Sequence, residues 1–279
     1  LTQSELAARQ NRDYGTGLAG VIESALADIR AALKMRDVWM ALASEDIGDA
    51  HRRTLLGPAW LLLNYLAFTA TIVMIIRSAD GVENYAAFVG CSLLVWLYLN
   101  EAVNEGVNVF IREESFIKGT VLPLSVYVMR QTTRSVIRAG YALIGMVALI
   151  AFSGAAISLS WVTSLLALVL IVATTPALIV LLGFAGVFFP DIQFFVGNIM
   201  RLMMFITPVF WAHIGGGGLR AVLYHWNPFT HYLDIFRLPI VADRVPLTSW
   251  GAAIAISLAL WAVAILLLGR YRKRIVFML

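Results

Sequence analysis

Residues 57–76, GPAWLLLNYLAFTATIVMII, run for twenty positions without a charge. A bilayer core about 30 Å thick is crossed by about 20 apolar helical residues, and in hydrocarbon only a helix or a closed barrel satisfies every backbone N–H and C=O. Comparable runs recur at about 85–106, 139–157, 161–189, 194–211 and 250–268, the fourth being long enough to tilt or to break near Pro176. The expected fold is all-α: an integral membrane protein with six transmembrane helices. Only 14% of the residues are charged against 60% hydrophobic, where soluble domains carry about a quarter charged residues. The net charge of +4 does not read as nucleic-acid binding, because the basic residues sit at the ends of apolar runs, not on a solvated face with stacking aromatics. Connections at 77–84, 156–160 and 190–193 leave little room for soluble domains, so 57–279 reads as one six-span domain and 1–56 as a cytoplasmic N-terminal segment.

Orientation follows from Lys and Arg, which accumulate in cytoplasmic loops. The first 30 residues hold Glu5, Arg9, Arg12, Asp13, Glu23 and Asp28 and lack the apolar core of a cleavable signal, so the N-terminus is expected inside. Seven basic residues then precede the first span, five lie in 112–138 and four in RYRKR at 270–274, sixteen in all. The outside segments hold only Arg77, Arg220, Arg237 and Arg244. Both termini are expected in the cytoplasm. The lone Cys91 lies in an apolar run and has no partner within the chain for a disulfide.

Three segments depart from simple spans. Leu18, Ile22, Leu26, Ile29 and Leu33 recur at helical spacing, with Glu23, Arg30 and Lys34 off the stripe, which predicts an amphipathic helix along the inner interface. A weaker pattern at Trp39, Leu42 and Ile47 leads to HRRTLLGP, where Pro58 opens the first span. Residues 212–249 mix apolar positions with Pro228 and Pro239 and are too interrupted to cross, which predicts outward re-entrant helices between spans 5 and 6 whose broken ends are buried in protein. The cytoplasmic loop 107–138 places Arg112, Glu113, Glu114 and Lys118 before Gly119, Pro123 and Leu124, after which Arg130, Arg134 and Arg138 recur every fourth position. A short mixed-charge helix with a proline-set return has the look of a docking element for a soluble partner; a solvated loop with positive-inside arginines is the plainer reading.

Catalytic apparatus is not visible. No G-x-x-x-x-G-K-[ST] occurs, and GGGG at 215–218 lacks the lysine and strand context of a phosphate cradle and reads as a connector. His225 and His231 are six apart, which does not place both on one helix face for a metal, so no metal site is expected. The serines show no elbow or triad spacing. Arg201 is the exception among the spans. A charge there costs at least about 2.5 kcal/mol on insertion scales and faces the bundle interior or an aqueous cavity, with a partner. At about seven residues, roughly 10 Å, from the inner end of its span, Arg201 is expected to pair with Glu101 or to line an inner vestibule, with snorkelling to the headgroups as the alternative. Trp60, Tyr65, Phe68, Trp96, Tyr98, Phe205, Phe210 and Trp211 are mostly interfacial or packing aromatics, a minority of which offer flat faces to the C–H faces of sugar rings.

RRTLLGPAWLLL at 52–63, IKGTVLPLSVYVMR at 117–130, FPDI at 189–192 followed by ITPVFW at 206–211, and NPFTHYLDIFRLPIV at 227–241 together resemble the membrane subunit of bacterial ABC exporters for polysaccharides, O-antigen exporters above all. The likeness runs in order over residues 39–279; the N-terminal extension 1–30 departs from it. The resemblance implies an inner-membrane permease, not an enzyme, that works as a homodimer with a channel between the copies and with two copies of a separate nucleotide-binding subunit, where ATP and Mg are bound; this chain itself holds no cofactor. It implies that the N-terminal segment and the loop carrying Arg112, Glu113, Glu114, Lys118, Gly119 and Pro123 meet that ATPase. It also implies a substrate path past Trp60, Tyr65, Phe68, Trp96, Tyr98, Glu101, Arg201, Phe205, Phe210 and Trp211 for a lipid-linked glycan entering from the inner leaflet, with Arg201 near its pyrophosphate. Two readings compete. One is an exporter of a drug or small lipid with a narrower channel and fewer exposed aromatics. The other is a membrane-embedded glycosyl or acyl transferase, for which Asp234 with His231 is the only candidate pair at the outer rim.

Overall fold

Each of the apolar runs contains a helix in the computed structural model, which describes residues 17–76, 84–153, 158–212 and 218–279. The charged start of the chain through Asp13, the loop with Arg77, residues 156 and 157 of the 156–160 connection and the glycines at 215–217 lie outside the described residues. In chain order the helices are α1 (Leu18–Lys34), α2 (Arg36–His51), α3 (Ala59–Ile75), α4 (Tyr85–Val107), α5 (Val109–Arg112), α6 (Glu114–Gly119), α7 (Leu124–Ser153), α8 (Trp161–Phe188), α9 (Ile192–Ile206), α10 (Leu219–Trp226), α11 (Pro228–Val241), α12 (Leu247–Tyr271) and α13 (Ile275–Met278). Among the described residues four of them, α4, α7, α8 and α12, are long and apolar enough to cross a membrane. The apolar α3 and α9 have 17 and 15 residues, about 26 and 23 Å at helical rise, which is short of the bilayer core.

Two boundaries differ from the sequence reading, each for a local reason, and of the alternatives for the fourth span the unbroken helix is the one found. The third span was expected from 139, but α7 starts at Leu124, so the latter half of the 107–138 loop is helix. Its arginines look loop-like by hydropathy, yet at a spacing of four they form one face. α8 continues through Pro176 without a break. A proline removes one helical hydrogen bond and crowds the turn before it; here side chains take up nearby carbonyls, Trp261 Nε1 donating to Ala173 O at 3.0 Å, and the hydroxyls of Thr174 and Thr175 to Leu170 O and Ile171 O at 2.7 and 2.9 Å. α9 ends at Ile206, five residues early, because Thr207 turns extended before Pro208. There Asn227, which caps α11 by accepting from Phe229 N–H, donates through Nδ2 to Thr207 Oγ1 at 2.8 Å.

Helix α4 is the axis of the bundle: 78% of its most apolar window is buried, against 22% for α12. It contacts α3, α7, α8, α9 and α11, while α12 closes the far side against α8, α11 and α1. Small residues permit the closest approaches. A Cβ on Gly186 of α8 would collide with Val107 O at the end of α4, and one on Gly269 of α12 with Val21 O of α1. Gly186→Leu is expected to destabilise the protein by about 3 kcal/mol or more through forced separation of α8 from α4, read as a lowered midpoint of thermal unfolding in detergent; an unshifted midpoint would contradict the contact.

The N-terminal helix packs on the bundle through its small and polar residues. α1 buries Ser24, Ala25, Asp28 and Ala32 against the bundle and leaves Leu18, Ile22 and Leu33 open. α2 packs on α7 through Ala43 and Ile47. Between α2 and α3, Gly57 adopts φ +54°, which a residue with a side chain takes up only at a cost. On the opposite end, the interrupted region forms α10 and α11, of 8 and 14 residues, neither long enough to cross. Ser160 Oγ donates to Pro239 O at 2.6 Å and Ser164 Oγ to Phe236 O at 2.7 Å, which sews the start of α8 to α11. Hydrogen bonds from Ser158, at 2.6 Å, and Ser160 hold the exposed Asp243 carboxyl below its ordinary range.

Candidate functional site

Helices α3 and α7 run in one direction and α4 in the other, so residues along them fall into levels. Between the three lies a groove with a cavity of about 310 Å³. Leu61 lines its end nearest the start of α3; Asn64, Glu101 and Arg138 follow, then Tyr65, Leu97, Tyr98 and Ala139, and beyond them Phe68, Leu94 and Ala142. The polar groups thus gather towards one end, beside Leu61, and the other end is apolar. Both phenols are held from behind: Tyr65 Oη donates to Gly90 O at 2.8 Å, and Tyr98 Oη shares a hydrogen bond with Thr175 Oγ1 at 2.8 Å. The absence of a side chain at Gly145 makes room for the Tyr65 ring, since a Cβ there would stand 2.7 Å from Tyr65 Cδ1.

Four of the residues read as a substrate path, Tyr65, Phe68, Tyr98 and Glu101, therefore converge on one groove. The others do not. Trp96, 1% exposed, meets the Phe229 ring edge-on at 5.5 Å in the core. Phe210 is buried and packs near Phe205 at 6.5 Å. Phe205, Trp60 and Arg201 are open on the protomer surface, and Trp211 donates to Phe205 O at 3.1 Å with Arg220 5.9 Å above its ring. The pairing of Arg201 with Glu101 is not formed. Arg201 sits on the open face of α9, its nearest polar contact Asn198 Oδ1 at 3.5 Å, whereas Glu101 faces α7 and meets Arg138 at 3.5 Å and Ser135 Oγ at 3.3 Å.

Beyond the polar end of the groove the arginine stripe of α7 closes onto acids from three other segments. Arg130 reaches Asp46 of α2 through two hydrogen bonds of 2.7 and 2.9 Å and Glu113 at 2.8 Å. Arg134 reaches Glu105 at 2.8 Å, and Arg112 reaches Glu105 at 2.6 Å and Gln131 at 2.9 Å. Arg112 and Glu113, two members of the expected docking loop, thus belong to an internal network. Facing outward are the Glu114–Lys118 pair at 2.6 Å and Gly119, which has open space around it, while Pro123 is half-buried where the chain turns into α7. The loop also bares Phe116, 55% exposed, and Val121, fully exposed. Their signal in the sequence is two apolar side chains in a charged loop with no helical stripe to bury them.

A second feature was out of reach of the sequence. Asp28 of α1 is buried at the start of α7, where one carboxylate oxygen accepts from Ser125 N–H at 2.9 Å and Ser125 Oγ at 2.7 Å. The other accepts from Leu124 N–H at 3.3 Å and approaches Arg272 at 3.5 Å. A helix's first N–H groups lack intrahelical partners and favour a carboxylate, so α1 supplies the cap of α7 across a separation of nearly one hundred residues. On the other side, Arg237, counted from the sequence among the outside charges, is 1% exposed. It bonds Asp234 at 2.5 Å, Pro208 O at 2.6 Å and Ser92 Oγ at 3.0 Å, and lies 4.2 Å from the centre of the Phe88 ring. Asp234 also accepts from Tyr224 Oη. The Asp234–His231 pair that a transferase needs is thereby not assembled: Asp234 is sealed against Arg237, and His231 lies 3.4 Å from Ser249 Oγ.

Known proteins similar to this chain carry one description. Two O-antigen export system permease proteins RfbA of Klebsiella pneumoniae are 25% and 23% identical to it, each over 179 residues, or 63% of this chain and 69% of theirs. The O-antigen export system permease protein RfbA of Myxococcus xanthus is 25% identical over 251 residues, 84% of this chain and 92% of its own. No protein-family model matches the chain. The resemblance to O-antigen export permeases read from the four motifs is thus found again over most of the sequence.

Proposed function

We propose that this chain is the permease subunit of an ATP-driven exporter that carries a lipid-linked polysaccharide of O-antigen type across the bacterial inner membrane. The likeness to a permease of that description over 84% of the chain carries the reading. Two copies form the conduit, each crossing six times with both termini in the cytoplasm; α3 and α9 then complete their crossings with flanking residues such as Leu55 and Leu56 or Val209 and Phe210. α10 and α11 form the re-entrant cap. The open face of α9, with Arg201, Leu202 and Phe205, supplies an apolar and cationic wall to the path, where many weak contacts let a polymer advance.

Work enters from a separate nucleotide-binding subunit, which holds ATP and Mg. Phe116 and Val121 are the anchors it grips, with Glu114 and Lys118 as a polar rim, a pattern of apolar centre and charged border common to protein interfaces. From there α6 leads through the Arg112–Glu105–Arg134 network into α4 and α7, so a push on the loop reaches the axis of the bundle. Phe116→Asp is expected to weaken association with the ATPase by at least about tenfold, the loss of one hot-spot side chain, while leaving the isolated protein folded. Co-purification with a candidate nucleotide-binding subunit from the same organism, and ATP-dependent appearance of glycan at the outer face of reconstituted vesicles, test the reading. Transport by the chain alone, or none in the presence of any such ATPase, would overturn it.

A further inference from the structure

The ion pairs along α7 are not alike. Arg130 and Arg134 hold their carboxylates through hydrogen bonds of 2.7–2.9 Å, whereas Arg138 and Glu101 stand 3.5 Å apart with no hydrogen bond between them. Arg138 Nε, like Arg134 Nε, is buried without a hydrogen-bond partner, and among the described residues the only hydrogen bond to Glu101 is the long one from Ser135. That loose pair is the one that lines the cavity. An arginine has five N–H groups and a carboxylate about four acceptor positions, and groups removed from water without partners are costly. The site therefore has capacity for both an anion and a cation at one level, with Asn64 beside them and the apolar Phe68, Leu94 and Ala142 one to two turns deeper.

We propose that the groove binds one zwitterionic phospholipid of the inner leaflet. The phosphate of a phosphoethanolamine head sits on Arg138, its ammonium on Glu101, and one acyl chain lies against Phe68, Leu94 and Ala142. This rests on the reading that the chain crosses the membrane with the start of α3 at the inner face, for then the groove's polarity runs from headgroup to hydrocarbon as an inner-leaflet lipid does. Charge decides between headgroups. In the neighbouring network Arg112, Arg130 and Arg134 are balanced by Asp46, Glu105 and Glu113, and α3 contributes no charge to the groove, so one base and one acid face the ligand. A purely anionic head satisfies Arg138 but is repelled by Glu101, and the same holds for a lipid diphosphate. A cavity of about 310 Å³ takes the anchoring atoms and part of a chain, at the small end of ligand pockets, which run from about 300 to 1,000 Å³.

The test uses the full chain in nanodiscs of equimolar phosphatidylethanolamine and phosphatidylglycerol, re-extracted in mild detergent and weighed by native mass spectrometry without any ATPase. One phosphatidylethanolamine retained per chain, about tenfold over phosphatidylglycerol, is the expected result, with retention falling about tenfold in Arg138→Gln and in Glu101→Gln. Ala142→Leu leaves both charges in place and fills the apolar end; it is expected to lower retention with an unchanged unfolding midpoint, which separates loss of the lipid from loss of the fold. Equal retention of the two lipids, preference for phosphatidylglycerol, displacement of phosphatidylethanolamine by a lipid diphosphate extracted from cells, or retention unaltered in Ala142→Leu would overturn the inference. Retained lipid without ATP-driven export refutes only the exporter reading, and export without retained lipid refutes only this one.

Discussion

Arg237→Leu is expected to destabilise the protein by about 3–5 kcal/mol, the cost of leaving a buried charge without its counter-ion. Asp234 would keep only Tyr224 as a donor, while Pro208 O and Ser92 Oγ lose the guanidinium that joins α4, the end of α9 and α11. The effect is a property of the pair. Asp234→Leu together with Arg237→Leu removes both charges and is expected to recover at least half of the loss, because a buried ion pair contributes little net stability over apolar side chains of similar size. Unfolding midpoints of the two single variants and the double variant, taken in one detergent, form the cycle. Additive losses would show that Asp234 and Arg237 act independently.

Asp28→Ala follows, with an expected loss of about 2–4 kcal/mol. Part is the helix cap on α7, about 1 kcal/mol, and part is the uncompensated Arg272, which lies half-buried beside it. Asp28→Asn keeps an oxygen for the Ser125 and Leu124 N–H groups but not the charge, and is expected to lose about half as much. Exchange of the amide hydrogens in the first turn of α7 reports the cap directly: the Leu124 and Ser125 amides should lose protection in Asp28→Ala while those of α4 keep theirs. Uniform loss across both helices would mean that Asp28 serves the whole bundle and not this junction. α1, α7 and α12 meet at this one carboxylate, and α7 also carries the arginine network that joins the 112–119 segment to α4.

The contrast between α7 and α8 shows what was legible in the sequence. α8 is apolar throughout, so its existence and extent followed from Trp161–Phe188 alone, and Pro176 was the only uncertainty. α7 was half hidden, because its first four turns carry Arg130, Arg134 and Arg138, and hydropathy cannot distinguish a charged helix that neutralises its charges against α2, α4 and the 112–119 segment from a charged loop. The groove was partly legible: Tyr65, Phe68, Tyr98 and Glu101 were picked out by residue type, while Arg138, their polar partner, was counted only as a positive-inside charge. Arg201 misled for a related reason. A charge in an apolar run must find a polar environment, but the run does not say on which face of the helix it stands.

Local chemistry thus settled whatever depends on one segment at a time. Uncharged runs of about 20 residues must become helices in a bilayer, the placement of lysine and arginine predicts which ends face inward, and four ordered motifs carry the resemblance to export permeases. The pairing of segments needed the tertiary structure. Which carboxylate caps α7, which arginine is sealed beside Asp234 and which acid meets Arg138 depend on contacts between residues up to 244 positions apart. Such contacts are selected by shape and by the cost of an unpaired buried charge, and neither quantity is written in the sequence around any one of the partners.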